Sequence, residues 1–328
     1  MSKNIKVKSV LDSSLVEDIP LIEVFVDFVT DPRNISKVVL ELNARCPTPE
    51  LNHLKRVKAR QVLLFPSADI KDEEVFSILK DKGFPVDLLK NEVHRVKVAA
   101  SPPLVRQQYV KCHSAWPCNF HADKYLEKLH TNTLFQGEEL KQISIFMDIA
   151  EEVGHYFCSS SGVVIVDPKI NSVVAVGFNE RPELTIRHSI MVAIDNVAKT
   201  QMGGAWSTAD NSCDPKNENV NLNGIPENIL VKLKEKYCSV NFGASVFTPK
   251  NGDPEGPYLC TGYDVFTIHE PCVMCAMALI HSRAKRVFYR MPSVNGALGS
   301  LCKIHTVKEL NHHYEVFIVE EENINSSS

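Results

Sequence analysis

Two α/β domains are predicted for this chain, a small one and then a larger one, and three patterns carry the prediction. Over residues 20–100, strand-like and helix-like stretches alternate in the order β-α-β-α-β. Over the C-terminal half, five branched apolar runs alternate with amphipathic helical stripes, giving a second α/β domain. Between the two, the prolines of Ser101-Pro102-Pro103-Leu104 enforce an extended backbone that reads as a linker. The expected division is a ferredoxin-like α/β domain at 1–100, a linker region at 101–139, a larger domain at 140–320 and a disordered polar tail at 321–328.

Each element has its own signal. Leu21 to Val29 is rich in branched and aromatic residues and reads as a strand. Ile35, Val38, Val39 and Leu42 then recur at helical spacing. Gln61 to Phe65 is a second strand ended by Pro66, a helix carries Val75, Ile78 and Leu79, and the alternation from Val93 to Val98 is a third strand. Beyond the linker, Trp116-Pro117 and Phe120-His121 are expected to anchor it. Ile143, Phe146, Met147, Ala150, Val153 and Phe157 mark a helical stripe. Val163–Val166 and Val173–Val176 form a hairpin around Asp167-Pro168 and Asn171-Ser172. After Pro182, a helix carries Ile190, Met191, Ile194 and Val197. Residues 201–259 form a polar insertion with one helix, Glu227 to Cys238. Strands at Val265–Ile268, Arg286–Tyr289 and Tyr314–Ile318 complete the set.

Bulk properties narrow the function. A chain of 328 residues can build two cores, and its 44% hydrophobic and 23% charged residues are ordinary for a globular protein. A formal net charge of -4 excludes a protein that is basic throughout, so any nucleic-acid contact must come from a local patch. One such patch is Lys55, Arg56, Lys58 and Arg60, which reads either as a solvated helix face or as a set of phosphate contacts. The residues from Met1 to Lys8 lack the apolar core of a signal peptide, and no run approaches a membrane span. The ten cysteines are mostly scattered and read as reduced thiols of an intracellular protein.

Two cysteines stand apart from the rest. The run from Val265 to Ile268 meets Pro271, which suits the first position of a helix, and Cys272 and Cys275 then share one helix face. The positive end of a helix lowers a thiol's pKa toward thiolate, and two aligned thiolates are half of a tetrahedral zinc site. P-C-x-x-C is also the downstream half of the zinc deaminase signature, whose upstream half is H-x-E. His188, at the start of a helix between the strand hairpin and the cysteine pair, is the expected third ligand.

These residues resemble the cytidine deaminase-like superfamily and, within it, the accessory subunit of the eukaryotic heterodimeric tRNA wobble-adenosine deaminase. The resemblance rests on the runs from His188 to Asp195 and from Glu270 to Arg283. Arg286-Val287-Phe288-Tyr289, Gly296-Ala297-Leu298-Gly299 and Leu310-Asn311-His312 support it. It covers the C-terminal half well and the first hundred residues in patches. It implies a cytidine deaminase-like domain with a mixed five-stranded sheet between helices, and zinc held by His188, Cys272 and Cys275. It further implies a catalytic partner of the same fold in a heterodimer, tRNA as substrate, no membrane, and a place in nucleus and cytoplasm. It also marks a departure, because the family's catalytic glutamate is here Ile190, which can neither accept nor donate a proton. Neither Asp195 nor Glu270 is a persuasive stand-in. The implied role is therefore a silent subunit that supports formation of inosine by its partner. A self-sufficient nucleoside deaminase and a non-enzymatic, zinc-stabilised RNA-binding scaffold are the competing readings.

Overall fold

The computed structural model describes residues 4–68, 70–179, 186–206, 220–245 and 258–322. They divide into two compact units: Ser13–Thr131, and a second that joins the residues before Ser13 to those after Thr131.

In the Ser13–Thr131 unit, four strands form one antiparallel sheet in the order Val57–Lys58, Gln61–Pro66, Leu21–Phe28, His94–Ala99. With helices Ile35–Arg45 and Val75–Asp81, the chain order is β-α-β-β-α-β, a ferredoxin-like arrangement. The strand absent from the sequence reading is Val57–Lys58, the first arm of a hairpin that turns at Ala59 with φ 55°. Side chains alternate across this sheet, as a period of two demands. Phe25, Val62 and Leu64 face the two helices, while Val24, Val26, Leu63 and Val98 face the other way.

That second face is covered by the stretch expected to be a linker. Residues 101–139 contain helices Arg106–Ala115 and Lys124–His130, and Cys112, Trp116 and Cys118 pack on the sheet. Trp116 is fully buried, and its indole N–H donates to the Lys55 carbonyl at 2.6 Å. The helix before it escaped notice because it buries only Gln108 and Cys112, too few residues to make an apolar stripe.

The second unit is built on a seven-stranded sheet, two strands wider than expected. Its order is Ile5–Ser9, Glu315–Glu321, Arg286–Met291, Asp264–His269, Gly162–Asp167, Ser172–Phe178, Asn241–Phe242. The five expected strands are the middle five. Asp264–His269, Arg286–Met291 and Glu315–Glu321 run parallel, and the Gly162–Phe178 hairpin joins them antiparallel. Ile5–Ser9 pairs antiparallel with Glu315–Glu321, so the residues before Ser13 belong to this unit and not to a domain at 1–100. The last strand reaches Glu321, into the expected tail, and residues 323–328 lie outside the described residues.

Helices lie on both faces of the sheet. On one, Phe266, Phe288 and Phe317 stack across neighbouring strands, joined by Phe146 from helix Glu138–Tyr156 and by Phe135. On the other, helices Ser189–Thr200 and Val273–His281 bury Ile190, Ala193, Val197, Cys275, Ala276 and Leu279. Within the polar insertion, helix Glu227–Lys236 is tied to Glu138–Tyr156 by Lys232 and Lys236, which both reach Glu152. The insertion's residues 207–219 and 246–257, like Pro182, lie outside the described residues. No helix of the described residues is long and apolar enough to cross a membrane.

Candidate metal centre

His188 is the residue that caps helix Ser189–Thr200, and its φ of -64° and ψ of 152° are extended. The cap is pinned from two sides: the Ser189 N–H donates to Asn179 Oδ1 at 2.8 Å, and the Ser189 and Ser161 hydroxyls meet at 3.1 Å. The helix also lies directly on the neighbouring strand. A Cβ at Gly177 would stand 2.1 Å from the Ser189 carbonyl oxygen and 2.6 Å from the Ala193 nitrogen, so only glycine admits that approach.

Cys272 caps the other helix, Val273–His281, from an extended conformation of φ -71° and ψ 172°. Pro271 therefore stands just before the cap and not at the first helical position as the sequence suggested. The Cys272 carbonyl accepts from the Ala276 N–H at 2.8 Å, closing the first turn, and Cys275 lies within that turn. Both ligand-bearing helices thus aim their positive ends toward one point.

Among the described residues, one group of His, Cys, Asp and Glu side chains could hold a metal ion: His188, Cys272 and Cys275, whose ligand atoms all lie within 4.8 Å of one another. Each cysteine sulfur is 3.5 Å from His188 Nδ1. Zinc bound tetrahedrally at its usual Zn–S and Zn–N lengths would set those two distances at about 3.6 Å. The donor set fits as well as the spacing. Burial, and then the neighbouring Cys272 sulfur, push the Cys275 thiol well above its ordinary range. A divalent cation between the sulfurs reverses that preference, since a coordinating thiol is deprotonated outright.

Ile190 is buried in the core with Cys275 and Ala193 and offers no polar atom to the centre. The two nearby carboxylates are engaged elsewhere. Asp195 accepts from the Ala205 and Trp206 N–H groups at 2.6 and 3.3 Å and pairs with Lys199 at 3.2 Å. Glu270 is buried and accepts from the Ser293, Leu298 and Ser300 N–H groups and from the Ser300 hydroxyl. One further neighbour had no signal in the sequence: Trp206 packs its ring 4.9 Å from the guanidinium of Arg187, the residue preceding His188.

The basic cluster divides under the structure. Arg56 donates to the Cys46 and Leu64 carbonyls at 2.7 and 2.9 Å and to the Thr48 hydroxyl, and burial holds its pKa below the usual arginine value. Lys58 donates to the Ala115 carbonyl at 2.7 Å and lies 5.9 Å from the Trp116 ring centre. Both side chains are thus engaged within their own unit. Lys55 and Arg60 remain exposed.

Residues 140–291 match the family described as the cytidine and deoxycytidylate deaminase zinc-binding region. A zebrafish (Danio rerio) protein named "Probable inactive tRNA-specific adenosine deaminase-like protein 3" is 32% identical, over 95% of this chain and 90% of its own length. Its mouse (Mus musculus) namesake is 32% identical, over 88% of this chain and 82% of its own. The "tRNA-specific adenosine deaminase subunit tad3" of Schizosaccharomyces pombe is 27% identical, over 80% of this chain and 71% of its own. At this identity over most of its length, this chain belongs to the tRNA-specific adenosine deaminase-like protein 3 family.

Proposed function

We propose that this chain is the catalytically silent subunit of a zinc-dependent tRNA adenosine deaminase, pairing with an active subunit of the same fold that converts wobble adenosine to inosine. The observation that carries the proposal is Ile190. In deaminases of this type zinc supplies an activated water to the ring carbon, and a glutamate two positions after the histidine moves the protons. Here His188, Cys272 and Cys275 would hold the metal, and Ile190 fills the glutamate's place with hydrocarbon. Loss of a positioned acid/base costs about 10²–10⁴-fold in rate. The metal then serves the fold more than the chemistry.

The rest of the chain supports a role in assembly and RNA contact. The outer side of helix Val273–His281 exposes Val273 and Met274, and Met291, Val294 and Leu301 are also exposed on nearby segments. Exposed apolar side chains of this kind suit the face of a partner subunit. In the Ser13–Thr131 unit both faces of the sheet are covered, so RNA contacts fall to its edges and loops, where Lys55 and Arg60 lie. A subunit acting on tRNA would be found in nucleus and cytoplasm, and imaging of the tagged protein checks this.

Inosine formation in tRNA and in free adenosine, measured for the chain alone and with a catalytic partner, tests the whole reading. The chain alone should form none. The pair should be active, and its activity should vanish when the partner's glutamate is replaced. Turnover by the purified chain alone, at a rate near that of the pair, would overturn it.

A further inference from the structure

Glu270 lies two residues before a metal ligand, is buried, and has hydrogen-bond donors on both of its carboxylate oxygens. Oε1 accepts from the Leu298 and Ser300 N–H groups at 2.9 and 3.0 Å. Oε2 accepts from the Ser293 N–H at 3.1 Å and from the Ser300 hydroxyl. Residues 293–300 thus wrap around the carboxylate, closely enough that a Cβ at Gly296 would fall 2.1 Å from its carboxyl carbon.

The same segment holds Cys272. Gly296 forms a bridge with Cys272, and the Ala297 N–H donates to the Pro271 carbonyl at 2.8 Å. Ala297 and Leu298 are fully buried in the core cluster that contains Cys275. On the other side, the Glu270 N–H donates to the Met291 carbonyl at 2.8 Å, fixing the end of the strand that leads into Cys272. The cysteine cap is held between a strand end and a loop, and one buried anion organises both.

We propose that Glu270 is a positioning residue for the metal centre: its carboxylate holds the 293–300 segment against Cys272 and so sets the place of that sulfur relative to His188 and Cys275. This rests on the zinc reading given above. It also identifies the role of a carboxylate that the chemistry leaves unused. Groups that orient metal ligands at one remove typically carry 10–100-fold in metal affinity. Glutamine at 270 would keep the volume but lose the fit. One carboxylate oxygen would become an NH₂ group, and each oxygen now faces a backbone N–H that cannot turn away.

The test is zinc affinity of the full-length protein, stripped of metal and refilled in competition with a chromophoric chelator. The cobalt-substituted protein gives a second readout, through its thiolate-to-metal absorption. Glu270→Gln should bind zinc roughly 10–100-fold more weakly and shift the cobalt band. Ser300→Ala, which removes one donor and leaves the carboxylate, should weaken zinc a few-fold in the same direction. Asp264→Asn is the control: that buried carboxylate, at the start of the strand leading to Glu270, pairs with Arg286 on the neighbouring strand, so its loss should lower stability and leave zinc affinity unchanged. Wild-type affinity in Glu270→Gln, or an equal loss in Asp264→Asn, would overturn the proposal. Should Glu270→Gln not fold, Ser300→Ala decides alone, and an unchanged affinity there overturns it. A wild-type protein that takes up no zinc would instead sink the metal reading on which this one stands.

Discussion

Ile190 is the residue on which the proposed silence of this chain turns, and it is buried. Its side chain is packed among Cys275, Ala193 and Val197, so a carboxylate introduced there would meet hydrocarbon. Ile190→Glu should cost about 3–5 kcal/mol, the usual consequence of an uncompensated buried charge. It should restore no activity, and urea unfolding with an inosine assay checks both. The position proposed for the glutamate is read from the sequence alone, two residues after the histidine that faces the cysteine pair. A second residue was not legible. His305 is buried, its Nε2 lies 2.9 Å from the Val10 carbonyl, and its Nδ1 has no hydrogen-bond partner among the described residues. Burial, chiefly, holds its pKa below the ordinary 6.5, with Lys303 acting the same way and the Val10 bond, Asp12 and Glu270 opposing. The unfolded chain therefore binds the extra proton first, and stability should fall as pH drops through about 6.5. Chemical unfolding at pH 7.5 and 5.5 should show that loss, and His305→Gln, which keeps a donor for Val10, should reduce it.

At the scale of elements, the hairpin around Ala59 explains why a charge run misled the sequence reading. Four cations in six residues look like a solvated helix face, and a strand of two residues has no periodicity to betray it. The turn carries neither Gly nor Asn, although Ala59 is left-handed. Folding sorts the four by reach, burying Arg56 on backbone carbonyls and laying Lys58 along Trp116. Arg56→Ala should accordingly lower the stability of its unit by at least ~2 kcal/mol, because it strands two carbonyls, and leave the salt dependence of tRNA binding unchanged. Replacing Lys55 and Arg60 should do the reverse, flattening the log–log salt slope by about 0.7–0.9 per lost contact with little effect on the unfolding midpoint. The central strands were readable because each is a dense apolar run covered on both sides. Ile5–Ser9 was not, since Lys6 alternates with Ile5 and Val7 as on any exposed segment, and its partner lies at the far end of the chain.

For the whole molecule, the consequence is that the Ser13–Thr131 unit is an insertion. It leaves the second unit after its first strand and returns beside it, where the Ser9 N–H donates to Asn132 Oδ1 at 2.7 Å. Replacing residues 13–131 by a short Gly/Ser linker should therefore give a folded protein that binds zinc one to one. Metal analysis and a cooperative melt check it, and an aggregated, metal-free product would count against it. The same layout bears on how the chain is made. Lys8 ends up paired with Glu320, 312 residues further on. At the usual 5–20 residues per second of synthesis, the first strand waits on the order of 15–60 s for the strand it will join. Throughout that interval Ile5 and Val7 have no edge to cover them, while the inserted unit has already emerged and has its own core to close. The ribosome, in effect, delivers the insertion finished before its host, and leaves the host's opening strand in need of shielding until the last strand emerges.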